Sequence, residues 1–135
     1  MERLERKIKE QSLALELEKI ASKQYILEEY LNAINLGEGT LGVQTASQKY
    51  FNKDVSELTL SECAVLASIT KNPTRLNPVT HPENNASRRS LVLQNMLEQH
   101  YITKKNIEKH LVMMYTQEFK KMLLLHLQKN NKFLF

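Results

Sequence analysis

The sequence predicts an all-α fold, on three observations. Apolar residues recur mostly at three, four or seven positions through the first quarter of the chain, which is the period of a helix face. All three glycines lie between Gly37 and Gly42 and all three prolines between Pro73 and Pro82, so the stretches between these clusters are free of helix breakers. No segment alternates apolar and polar residues in the manner of a half-buried strand.

Before the glycines, the apolar positions are Leu4, Ile8, Leu13, Leu17, Ile20, Leu27, Leu31 and Ile34. This stretch is expected to form two helices, with the Ser22 hydroxyl capping the second and Gly37 supplying the left-handed residue that ends it. Glu2 with Arg6 and Glu5 with Lys9 are spaced four apart with the acid first, an arrangement that supports an exposed helix by a few tenths of a kcal/mol, roughly.

After the glycines, Val43 to Phe51 reads as a short helix carrying Ala46, Tyr50 and Phe51 inward. Thr59-Leu60-Ser61-Glu62 is a capping-box signature. Leu58 stands ready to staple the first turn of an apolar helix reaching about Thr70, which is expected to be the most buried element.

Asn72-Pro73, Asn77-Pro78 and His81-Pro82 punctuate the next segment. The residue before each proline is pushed away from helical dihedrals, so Lys71 to Pro82 is expected to be a structured loop. Pro82 suits the first turn of a helix running to about His100, and Thr103 can cap another from Lys104. From about Val112 the composition turns to Met, Leu, Lys, Asn and Phe. Two readings stay open for this tail, an amphipathic docking helix or non-native sequence after a lost reading frame.

At 135 residues and 41% hydrophobic, the chain has material for one modest core. A net charge of +4 and a pI near 9.2 suit an anionic partner without choosing among phosphate, nucleic acid and membrane. The single cysteine, Cys63, excludes an intrachain disulfide. It is expected to be a small buried side chain; a catalytic thiol would need a partner base that its apolar run lacks. The charged opening Met1-Glu2-Arg3-Leu4-Glu5-Arg6 is no secretory signal, and no apolar stretch reaches the roughly 18 residues of a membrane helix.

Three clusters carry chemistry. In Arg6-Lys7-x-x-Glu10, the helical repeat puts Arg6 and Glu10 on one face and Lys7 on an adjacent side, so cations and a carboxylate can address one cleft; the same spacing also makes an ordinary helix ion pair. In the run from Lys23 through Ile26, Leu27, Glu28, Tyr30, Leu31 and Asn32, Lys23 is the better candidate for ligand contact. Glu28 and Asn32 are expected to be buried polar groups that fix neighbouring loops. In Arg88-Arg89-x-x-Val92-Leu93, Leu91, Val92, Met96 and Leu97 are expected to face the core, so at most one arginine can point inward. A guanidinium fork suits a pyrophosphate and equally a carboxylate from Glu10 or Glu28.

Together, in this order, the clusters resemble the last three motifs of the family 51 peptidoglycan glycosyltransferases, the chain-polymerising domain of bifunctional penicillin-binding proteins and of monofunctional transglycosylases. The likeness runs from Leu4 to about His110. It includes the Asn35-Leu36-Gly37-x-Gly39-x-x-Gly42-Val43 turn, the Tyr50-Phe51-x-Lys53 step and the Asn77-Pro78 to His81-Pro82 loop. The resemblance implies a mainly helical, lysozyme-like domain, here incomplete at its N-terminus, over residues 1–111, with 112–135 an atypical tail.

The family joins lipid-linked disaccharides (lipid II) into glycan strands at the extracytoplasmic face of the bacterial plasma membrane. By resemblance, Glu10 is the second catalytic glutamate, Arg6, Lys7, Lys23, Arg88 and Arg89 contact substrate, and Glu28, Tyr30 and Asn32 are motif residues of structural weight. No cofactor is required, although a divalent Mg or Mn ion can accompany the pyrophosphate in the complete domain. The family's general base belongs to a Glu-Asp-x-x-Phe-x-x-His motif, and a Gly-x-Ser-Thr-Ile-Thr-Gln-Gln motif follows it; this sequence contains neither. The chain alone is therefore expected to be inactive, since a general base is worth about 10²–10⁴-fold in rate. The competing reading is a non-catalytic basic helical module for an anionic ligand, a protein or a nucleic acid. Nucleic acid is not expected, because no polar recognition helix is evident and Glu2, Glu5 and Glu10 dilute the basic patch.

Overall fold

The computed structural model describes residues 2–108. The tail expected over 112–135 lies outside the described residues. The chain divides between Ala33 and Ile34 into two compact units.

The first unit holds α1 (Glu2–Ile20) and α2 (Lys23–Ala33). The break falls where the sequence places it: the Ser22 hydroxyl accepts from the Tyr25 backbone N–H at 3.1 Å, capping α2. Neither helix buries a residue. Leu4, Ile8, Leu13, Leu15, Leu17 and Ile20 of α1 are all exposed.

The second unit opens with an arch rather than a helix cap. α2 ends at Ala33, so Gly37 does not terminate it as the sequence suggests. Instead Asn35 pairs with Leu41 in an isolated β-bridge, and between them Gly37, Glu38 and Gly39 are all left-handed, with φ of 80°, 50° and 72°. Glycine reaches this conformation without a Cβ penalty, which is why two of the three positions are glycine. The arch is closed by Thr40 N–H to Gly37 O at 2.8 Å and Gly42 N–H to Ile34 O at 2.8 Å.

α3 (Val43–Phe51) follows and buries Ala46, Tyr50 and Phe51 as its spacing predicts. Tyr50 is 1% exposed, and its hydroxyl donates to Leu36 O at 2.8 Å, fastening α3 to the arch. Asn52 ends α3 in the left-handed region. A 3-10 turn at Val55–Glu57, not foreseen from the sequence, is built on Asp54, whose side chain accepts from the Ser56 hydroxyl, the Ser56 N–H and the Gln44 amide. Those bonds favour the charged form and hold the Asp54 carboxyl below its ordinary value.

α4 (Leu60–Ile69) starts with the expected capping box. Glu62 N–H donates to Thr59 Oγ1 at 3.3 Å and Thr59 N–H donates to Glu62 Oε2 at 2.8 Å. It is buried along most of its length, with Val65 and Ile69 wholly enclosed. Cys63 does not follow the expectation of burial. It and Ala67, one turn on, form the outward stripe of a helix whose apolar residues run all round, so periodicity could not say which side faces water. Partial desolvation, and then the neighbouring Glu62 charge, push the Cys63 thiol up from its ordinary value.

The loop from Thr70 to His81 is held by asparagine side chains. Asn72 Oδ1 accepts from Arg75 N–H, and Asn77 Oδ1 accepts from Val79 N–H and Thr80 N–H. Buried Asn85 reaches back from α5 (Pro82–Glu98) to donate to Leu76 O at 2.8 Å. Leu36, Ala46, Tyr50, Phe51, Val65, Leu66 and Ile69 form the main core, while Ala64 and Leu93 join α4 to α5 with Leu60, Val92 and Met96 around them. Full burial of a side chain such as Leu36 or Leu93 contributes about 1.5–3 kcal/mol. On α5 Val92 and Met96 pack against the core as the sequence suggests and Leu93 is the enclosed position beside them, whereas Leu91, expected inward, is 43% exposed. Residues 104–108 are helical, and Asn106 reaches back to the Thr103 N–H at 3.2 Å. Among the described residues no helix is long and apolar enough to cross a membrane.

Candidate functional site

Arg6, Lys7 and Glu10 meet on α1. Arg6 Nε lies 3.4 Å from Glu10 Oε1 and Lys7 Nζ lies 2.6 Å from Glu10 Oε2. The one-turn spacing brings Arg6 to the carboxylate as the sequence predicts, and Lys7 also reaches it through the i, i+3 relation rather than standing to one side. All three side chains are half or more exposed, so the pairs contribute only about 0–1 kcal/mol to stability. Two cations against one carboxylate leave one positive charge on a solvated face.

Lys23 is the first residue of α2 and is exposed. Glu28 and Asn32 are exposed as well, which overturns the expectation that they are buried polar groups fixing loops. The reason is that α2 buries nothing; its best-covered residues, Ile26 and Leu31, are only half-buried. Tyr30 is 52% exposed.

Arg88 and Arg89 belong to the second unit, on α5. Arg89 is 3% exposed and Arg88 is partly buried. This agrees with one arginine pointing inward, and assigns that place to Arg89. Arg88 keeps a buried Nε with no hydrogen-bond partner.

Among the described residues no three His, Cys, Asp or Glu side chains gather, and both oxygens of Glu10 meet cations.

A cleft of about 720 Å³ opens between the glycine arch and the proline loop, lined among others by Glu38, Thr74, Asn77 and His81. Spacing singles out neither Glu38 nor Asn77, which are 39 positions apart; the one local signal is a charged residue set between two glycines. Beneath the arch, burial and then the Glu38 charge push the Tyr50 phenol far above its ordinary value.

The model of the family described as Transglycosylase matches residues 1–97, which takes in all three clusters. Penicillin-binding protein 1A of Aquifex aeolicus is 51% identical over 105 residues, covering 78% of this chain and 14% of that protein. Penicillin-binding protein 1A of Vibrio cholerae is 48% identical over 99 residues, covering 73% and 12%. The crystal structure of penicillin-binding protein 1A from Haemophilus influenzae superposes with a TM-score of 0.64 at 45% identity, covering 66% of this chain and 13% of that one. The chain therefore spans only a small part of the relatives it matches. With the family model matched over most of its length, and with the cation and carboxylate cluster of α1 inside that match, the chain belongs to the transglycosylase family.

Proposed function

We propose that this chain carries the donor-pyrophosphate side of a peptidoglycan glycosyltransferase that polymerises lipid II. The observation supporting this most directly is the Arg6, Lys7 and Glu10 cluster, a solvated face with one excess positive charge inside the family match. In the reaction the acceptor 4-hydroxyl attacks the anomeric carbon of the donor. A new carbon–oxygen bond forms as the bond to the lipid pyrophosphate breaks with inversion. The bonding electrons leave on the pyrophosphate, and the hydroxyl proton goes to a general base.

Arg6 and Lys7 offset the charge that grows on the leaving group, the electrostatic part of such catalysis. Glu10 holds both cations and so limits their freedom before the ligand arrives. Lys23, exposed at the start of α2, is a further donor for the same anionic substrate. The proton acceptor is not among these groups, because no Glu-Asp-x-x-Phe-x-x-His motif occurs in the sequence. The 135-residue chain by itself is accordingly proposed to bind the leaving group and not to polymerise. The setting is the extracytoplasmic face of the bacterial membrane, where the family's lipid-linked substrate lies.

The test is a pair of assays on the purified chain. Calorimetry with inorganic pyrophosphate is expected to show binding that Arg6→Ala with Lys7→Ala abolishes, and incubation with lipid II is expected to give no glycan polymer. Polymer from the chain alone, or pyrophosphate binding indifferent to the double substitution, refutes the proposal.

A further inference from the structure

Every residue of α1 is exposed, its large apolar side chains included. Leu4, Ile8 and Leu15 are 67%, 59% and 63% exposed. A lone helix of this length is marginal in water, and an amphipathic helix takes most of its stability from a surface that covers its apolar face.

These three residues lie on one stripe. Leu4, Ile8, Gln11 and Leu15 are spaced four, three and four apart, which is the seam of a heptad pattern, and a polar residue within such a seam specifies register. One flank of the seam carries Glu5, Ser12 and Lys19, and the other carries Lys7, Ala14 and Glu18. Arg6 and Glu10 fall on the side of the helix away from the seam.

The pattern is its own complement when two copies run antiparallel. With a two-fold axis at Ser12, Glu5 and Lys19 of the partner subunit stand level on the same flank, each seven residues from the axis. Ile8 comes within about one residue rise, roughly 1.5 Å along the axis, of the partner subunit's Leu15, and Lys7 comes as near to Glu18 of the partner subunit. The two Gln11 amides meet at the centre, where each can donate and accept. The symmetry repeats every pairing.

Other arrangements match less of the charge. In a parallel pair opposite flanks meet, so that Lys7 faces Ser12 and Lys19 faces Ala14, and no charge finds its opposite. An anionic lipid surface is disfavoured by Glu5 and Glu18, which flank the seam on its two sides. Among the described residues Glu5, Glu18 and Lys19 make no ion pair, so their charges remain to be matched from outside.

We propose that two copies of this chain associate through antiparallel α1 helices, with Leu4, Ile8 and Leu15 in the seam and the Glu5 to Lys19 pairs setting direction and register. Arg6 and Glu10 face away from the partner, so the inference does not depend on the pyrophosphate reading of α1.

The test is sedimentation equilibrium of the full chain from micromolar to millimolar concentration. A monomer and dimer in equilibrium are expected, with the dimer weakened by added salt. Leu15→Glu is expected to abolish it while the core of the second unit keeps its urea midpoint. Glu5→Lys and Lys19→Glu are each expected to weaken dimerisation about tenfold, since each sets like charges together at two symmetric places, and the two combined are expected to restore it. A monomer at every concentration, a dimer indifferent to Leu15→Glu, or a combined reversal no tighter than the single ones overturns the proposal. A chain that stays monomeric yet pellets with phosphatidylglycerol vesicles, and loses this with Leu15→Glu, assigns the seam to a lipid surface and overturns it as well.

Discussion

Lys53 Nζ donates to Glu62 Oε1 at 2.8 Å while the other oxygen of the same carboxylate caps α4. One side chain, 3% exposed, therefore ties the segment after α3 to the start of the most buried helix. Glu62→Ala removes an ion pair and half of a capping box and leaves the Thr59 N–H without its acceptor, for a loss of about 2–3 kcal/mol. Lys53→Met costs less, about 1 kcal/mol, because its side chain is 37% exposed and water screens the pair. Urea unfolding of the two variants and their combination checks both values; a double variant no worse than Glu62→Ala alone is the expected sign that they act through one bond.

Tyr50 is the second fastening. Tyr50→Phe leaves Leu36 O without its buried donor and is expected to cost about 1–3 kcal/mol by thermal or urea unfolding. Its ionisation also makes stability depend on alkaline pH. The folded phenol is pushed up from 10.0, chiefly by burial, so its proton is held after the unfolded chain has released its own. Stability is thus unaffected by this group below pH 10.0 and falls as pH rises above it, a decline that Tyr50→Phe removes.

Gly37 and Gly39 share a left-handed backbone but not a neighbourhood. A Cβ on Gly37 meets Tyr50 Oη at 3.1 Å and Pro73 O at 3.4 Å, whereas one on Gly39 meets nothing within 4 Å. Gly39→Ala carries only the conformational cost, about 1–2 kcal/mol. Gly37→Ala adds crowding against the Tyr50 bond and is expected to be the more destabilising of the two by unfolding midpoint; equal midpoints rule out the close approach at Gly37.

Arg6 and Lys7 stand at the other extreme. Their side chains are 65% and 61% exposed, so Arg6→Ala and Lys7→Ala are each expected to change unfolding free energy by less than about 0.5 kcal/mol. Loss of pyrophosphate binding in these variants then reports on the ligand face and not on folding.

Much of the fold was legible because its signals are local. The Ser22 and Thr59 caps, the inward face of α3, and Pro82 in the first turn of α5 each depend on residues within one or two helical turns. The order of the three clusters was likewise enough to suggest the family to which the chain belongs.

Burial was less legible, for reasons that differ by element. α4 is apolar all round, so its outward stripe at Cys63 and Ala67 is decided by what packs on the other sides. Glu28 and Asn32 lie on a helix that buries nothing, and helical spacing cannot report how well a face is covered. Arg88 and Arg89 have the same side chain at adjacent positions, and only the packing of α5 selects Arg89 for the interior.

By itself, then, the sequence determined where the α-helices start and which cations share a turn with Glu10, since those are matters of capping and a 3.6-residue period. The tertiary structure alone decided that Glu38 meets Asn77 over 39 positions, that Lys53 reaches Glu62, and that Tyr50 closes on Leu36. Each of those contacts joins residues from different elements, and its partner is set by how the chain packs rather than by any periodicity along it.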